Sequence, residues 1–155
     1  MPTRAKIKIV DDSELRAILD AAYDASSQIQ LCKYACVLAR HILEYIQYED
    51  KNNDIIQKGF LINEAWQKGN ARMHDVREAS LRIHNMAKAC DDILIQTALR
   101  VVGHAVATGH MREHAMVASD YAIKVINVNC LHDLVAVTQE RRWQIDTLRL
   151  MQEDK

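Results

Sequence analysis

Residues 91–108, DDILIQTALRVVGHAVAT, decide the fold class. Wound at 100° per residue, Leu94, Ile95, Ala98, Leu99, Val101, Val102, Ala105 and Val106 gather on one broad face. Gln96, Arg100, His104 and Thr108 recur every four residues on the other, with Gly103 and Ala107 beside them. Asp91 and Asp92 precede the run, where the positive end of a helix dipole favours carboxylates. The stretch predicts an amphipathic helix with one face in a core.

The rest of the chain follows the same pattern. Apolar residues make up 49% of the 155, yet there are only four glycines and one proline, Pro2. Ala, Leu, Ile, Glu, Lys, Arg and Gln dominate over the β-branched and aromatic types that fill sheets. With no proline break in the body of the chain, the expectation is an all-α fold: a single-domain bundle of about six or seven antiparallel helices. Residues 1–10 alternate charged and apolar and read as a short arm, extended or disordered. Residues 11–152 read as the one helical domain, a length that can bury a core without disulfides or metals.

Upstream, DDSELRAIL (11–19) has capping-box spacing between Asp11 and Glu14, and the first helix is expected to end near Ala25. Ser26 or Ser27 caps a second, whose core stripe is Ile29, Cys32, Cys36, Ala39, Leu43 and Ile46. A polar loop leads to a third helix over 55–67, which Gly69 and Asn70 can terminate. A fourth covers 73–89. Downstream, Gly109 predicts a kink or break before a sixth helix over 111–128. Its apolar face is Met111, His114, Ala115, Ala118, Tyr121, Ala122, Val125 and Ile126, and its polar face is Glu113, Asp120, Lys124 and Asn127. The last helix, 131–151, is expected to bury Leu131, Leu134, Val135, Ile145 and Leu148, with Trp143 and Leu150 on another side.

Charge excludes some classes. The net charge is −1, and residues 1–77 hold eleven charges of each sign, so no basic stripe argues for nucleic acid. No apolar run reaches membrane-spanning length and the start lacks a signal-peptide core, which makes a cytoplasmic location the expectation. Cys32, Cys36, Cys90 and Cys130 lack C-x-x-C spacing and read as thiols in a reducing compartment.

His104, His110 and His114 invite a chemical reading. The His110-x-x-x-His114 spacing suits two ligands of a zinc ion, which makes these two the metal candidates. On a continuous helix His104 stands roughly 120° and about 9 Å from His110, too far for the same ion. The three imidazoles are therefore expected on two separate surfaces, serving packing or contact. No nucleophile elbow, phosphate-binding glycine loop, His-Glu-x-x-His or Glu-x-x-His pattern occurs. No cofactor is implied. Gln96, Arg100 and His104, as a polar stripe, and Trp143, flanked by Arg141 and Arg142, are the candidates for binding a partner. For Trp143, core packing against the amino-terminal helices is the favoured expectation, and a homo-oligomer contact is a third.

Trp66, Gly69, Arg77, the run Gly103 to Thr108, His110 to Ala115, and Tyr121 with Ala122 together resemble the Imm-five-like immunity proteins of bacterial polymorphic-toxin systems. The resemblance extends over about residues 26–151, and Gly109 departs from it, since a helix former is commoner there. It implies a non-enzymatic protein that binds and neutralises a cognate toxin by covering its surface. The alternative is a helical metal- or ligand-dependent enzyme using His104, His110, His114 and Asp120.

Overall fold

Polar side chains set the helix starts. In the computed structural model, which describes residues 2–153, Asp12, Ser27, Asn53 and Asp92 each accept a backbone N–H just inside a helix. The helices so begun are α1 (Ser13–Asp24), α2 (Gln28–Tyr45), α3 (Asp54–Gln67) and α5 (Ile93–Ala107). At Ser27 the exchange is reciprocal, because Gln30 Oε1 accepts the Ser27 N–H in turn. α4 (Met73–Lys88) starts where Asp75 Oδ2 accepts the Arg72 N–H at 3.0 Å. α7 (Leu134–Glu153) starts where Asp133 Oδ1 accepts from Ala136 N. α6 (His114–Asn129) has no side-chain cap and grows out of a tight turn.

That turn matters for everything downstream. His110 N–H and Met111 N–H both return to Ala107 O, so α5 closes there and the chain reverses before α6. A Cβ on Gly109 would stand 3.1 Å and 3.3 Å from the Val76 methyls, a tight fit that would ask Val76 to give by a few tenths of an ångström, so glycine eases the close approach of the turn to α4. Arg112 ties it down by donating to Tyr23 O and Ser26 O at the end of α1, with its guanidinium over the Tyr23 ring. At the end of α3, Gly69 has φ +78 and Asn70 N–H returns to Ala65 O, the left-handed stop expected of glycine.

α5 is the centre of the bundle and packs on α2, α3, α4 and α6. α2 runs beside it and also meets α6 and α7, while α1 lies across α7. Ile42, Phe60, Ile83, Val102, Ala105 and Leu148 meet in the core with 2% exposure or less. Each such large aliphatic side chain contributes about 1.5–3 kcal/mol by leaving water. The seven helices with no strand among the described residues are the all-α single domain expected from the composition. None of the described helices is long and apolar enough to cross a membrane.

Residues 2–10 form no helix or strand and are tethered at several points. Thr3 gives its N–H and hydroxyl to Asp20. Asn127 of α6 clamps Val10 from both sides, accepting its N–H at 2.8 Å and donating to its carbonyl at 3.0 Å. Lys124 donates to Lys8 O.

Several expectations are corrected. The cap of α1 is Asp12, because Asp11 turns inward to Arg141. Leu131, Leu134 and Val135 are 76%, 51% and 69% exposed rather than buried. The chain turns through His132 at φ +62, so α7 begins late and its inward stripe runs instead through Val137, Arg141, Gln144, Ile145 and Leu148. Ile29 is 43% exposed at the first turn of α2, ahead of the point where its neighbours cover it. Asp120 is buried, because α6 is covered on both sides.

Candidate functional site

The reversal at Gly109 brings together histidines that a continuous helix would separate. His114 is the first residue of α6, and its Nδ1 lies 3.0 Å from Nδ1 of His104 near the end of α5. His84 of α4, not singled out from sequence, meets His104 edge to face with ring centroids 4.6 Å apart. Tyr121, two turns into α6, stacks on His104 at 5.2 Å. The expected separation onto two surfaces therefore fails for His104 and His114. His110, in the turn, is more distant, its ring centroid 6.2 Å from that of His114.

Hydrogen bonding fixes the proton on one ring. Arg100 Nη1 donates to His84 Nδ1 at 2.8 Å, and since a guanidinium cannot accept, His84 carries its hydrogen on Nε2. A Cβ on Gly103 would lie 2.6 Å from His84 Cε1, so the missing side chain is what admits this ring between α4 and α5. Burial lowers His104 to about 3, with His84, His114, Arg100 and Lys6 adding repulsion. His84 falls to about 4, again mainly by burial, and His114 is lowered for the same first reason. These rings are neutral at neutral pH. In the His104–His114 pair one Nδ1–H then donates to the other's bare Nδ1.

Among the described residues no group of three or more His, Cys, Asp or Glu side chains is placed to hold a metal ion. Asp120 does not join the imidazoles. Its carboxylate takes Arg141 Nη2 at 2.8 Å and Arg16 Nε and Nη2 at 2.9 Å each. The other candidates on α5 face α4. Gln96 donates to Ala87 O and Cys90 O, closing the end of that helix, and Arg100 serves His84.

Trp143 lies on α7 and stacks on His41 of α2, with centroids 3.6 Å apart and planes 10° from parallel. Leu150, expected beside it, is 60% exposed. Arg141 is not part of a surface patch: it has no exposed area, and it donates to Asp11, Asp120 and Gln144. Burial opposes its charge, but the two carboxylates outweigh that and hold its pKa above the usual arginine value.

A polar seam thus runs between α2, α6 and α7. Ser119 Oγ donates to Ala115 O, so the 2.6 Å contact from Tyr34 has the phenol as donor. Gln144 donates to Ser119 O and accepts from Arg141. One signal for the seam was available in the sequence. Arg141 precedes the core residues Ile145 and Leu148 by four and seven positions, which places it on their face.

With this geometry in view, the family model described as Imm-5 like putative immunity protein matches residues 21–151. The chain belongs to that family. No curated protein and no solved structure matches it. The matched stretch contains the histidine cluster, Trp143, Asp120 and Arg141, whereas Asp11 and Arg16, which complete the buried ion network, precede it. The sequence resemblance is thereby shown at the level of the family.

Proposed function

We propose that this chain is a bacterial, cytoplasmic immunity protein that binds a cognate protein toxin and neutralises it by covering a functional surface, with no reaction of its own. The family match over residues 21–151 carries the reading. A rigid helical bundle suits the task. A stable interface needs about 800 Å² from each partner, roughly a tenth of the 8415 Å² this chain exposes. A core that is already packed also avoids the entropy of ordering a binding surface on contact. Trp143, partly buried on α7 and packed against the core, is the anchor we assign to the interface, since tryptophan concentrates binding energy at such sites. Gln96, Arg100 and His104 then act behind the surface by holding α4 and α6 in place.

The test is co-expression with the product of the adjacent gene in the source genome. A complex that survives size-exclusion chromatography and restores growth of toxin-expressing cells is the expected outcome. Growth arrest that the chain does not relieve, with no complex retained, removes the reading.

A further inference from the structure

Glu140 of α7 is buried, 6% exposed, and hydrogen-bonded through only one of its two oxygens. Oε1 accepts from His41 Nε2 at 2.7 Å. Oε2 is inaccessible and has no partner, an isolated case among the buried side-chain oxygens and nitrogens of the described residues. Leaving a buried carboxylate oxygen unpaired is costly, on the order of 1–3 kcal/mol or more for a charged group. The rest of the bundle avoids this: Asp120 and Arg141, equally buried, have their polar atoms occupied.

The surroundings of Glu140 have a definite shape. Its carboxylate meets the Nε2 edge of the His41 imidazole, whose side chain is 28% exposed, and that ring rests flat on the Trp143 indole. A planar nitrogen-bearing ring is thus held between an aromatic face and a carboxylate. Imidazole fills this place imperfectly, since its two nitrogens point in different directions and a single N–H reaches the acid. A guanidinium is also planar and also stacks on indole, but it presents two parallel N–H groups that match both carboxylate oxygens. An ammonium would meet the charge without the fork or the stack.

We propose that Glu140 and Trp143 form a receptor for the guanidinium of an arginine on a protein partner, with His41 as the resident side chain that swings out when the arginine enters. The His41 side chain is 28% exposed where that of Glu140 is 6%, and one hydrogen bond and one stacking contact join it to the pair. The proposal rests on the toxin-binding reading only for the source of the arginine, and the recognition itself is a property of this chain alone.

The experiment titrates the 155-residue chain with N-acetylarginine methylamide, and in parallel with the lysine analogue, while following the Trp143 indole N–H and the His41 ring by NMR. Saturable shifts with arginine are expected, with binding about tenfold weaker for lysine and for Glu140→Gln, and about tenfold tighter for His41→Ala. Equal response to both probes, unchanged affinity in Glu140→Gln, or no saturable binding even in His41→Ala would each overturn the proposal. Should Glu140→Gln fail to fold, Trp143→Leu followed by calorimetry replaces it: lost binding supports the receptor and retained binding overturns it. A toxin complex formed by a chain that ignores the arginine probe sinks this site and leaves the immunity reading standing. Probe binding without a toxin complex does the reverse.

Discussion

The imidazole of His84 occupies the space where a side chain on Gly103 would be. A Cβ there would come within 2.6–2.8 Å of three ring atoms, and Arg100, on the same helix, already holds the ring at Nδ1 from 2.8 Å. Gly103→Ala must therefore push α4 from α5 or eject the ring. Overpacking of this kind costs about 1–3 kcal/mol, more than alanine's helix propensity returns. Urea unfolding checks it: a midpoint at or above that of the parent chain would mean that the ring moves without cost.

Removing Arg141 leaves Asp11 and Asp120 facing each other in a buried site, with Arg16 alone to meet Asp120. Breaking a buried pair from one side costs about 3–5 kcal/mol, so Arg141→Met is expected to lower stability by that order. Combining it with Asp120→Asn should recover part of the loss, because the uncompensated charge goes with it. A double-mutant cycle by chemical denaturation measures the coupling.

Acid should weaken the fold through the imidazoles before it reaches the carboxylates. His84 and His104 are lowered to about 4 and about 3 in the folded chain, against an ordinary value near 6.5. Well above pH 6.5 neither folded nor unfolded chain protonates them appreciably, and their contribution is intact. As pH falls below about 6.5 the unfolded chain gains protons that the folded chain refuses, so stability declines steadily toward pH 4. Denaturation midpoints across this range should fall, and His104→Gln should flatten the slope. A slope unchanged in that variant would place the acid sensitivity elsewhere.

The thiols should separate into two classes. Burial pushes Cys32 and Cys36 up to about 12, which leaves almost no thiolate at neutral pH, and the two residues are only 0% and 3% exposed. Cys90 and Cys130 are half-exposed. Under native conditions a maleimide followed by mass spectrometry should modify the second pair first, with Cys32 and Cys36 labelled only on unfolding.

The fold was legible in the sequence because helix periodicity and capping are local. Residues 91–108 announced α5 within a residue or two, Ser27 and Asn70 did the work expected near them, and Gly109 marked a true reversal. The resemblance carried the family, which the match over 21–151 shows. What could not be read was the meeting of distant residues. Arg16 and Asp120 are 104 positions apart, and His41 and Glu140 are 99 apart. The His104–His114 contact was missed for a different reason: the geometry of an unbroken helix was applied across a turn that folds the chain back. The helical wheel puts Asp120 on a polar face, although a helix covered on both sides has no dry and wet face to sort by.

The tether between the start of the chain and α7 has a bearing on where the molecule can be cut. Asp11 and Arg16 close an ionic cluster whose other half, Asp120 and Arg141, lies at the far end of the sequence, and Leu19 fills the core from the same early helix. An excised fragment confined to residues 21–151 would forfeit two of the four charges and a wholly enclosed leucine together. Boundaries drawn by family similarity alone therefore make a poor guide to a minimal stable unit, and expression trials should retain the stretch before them.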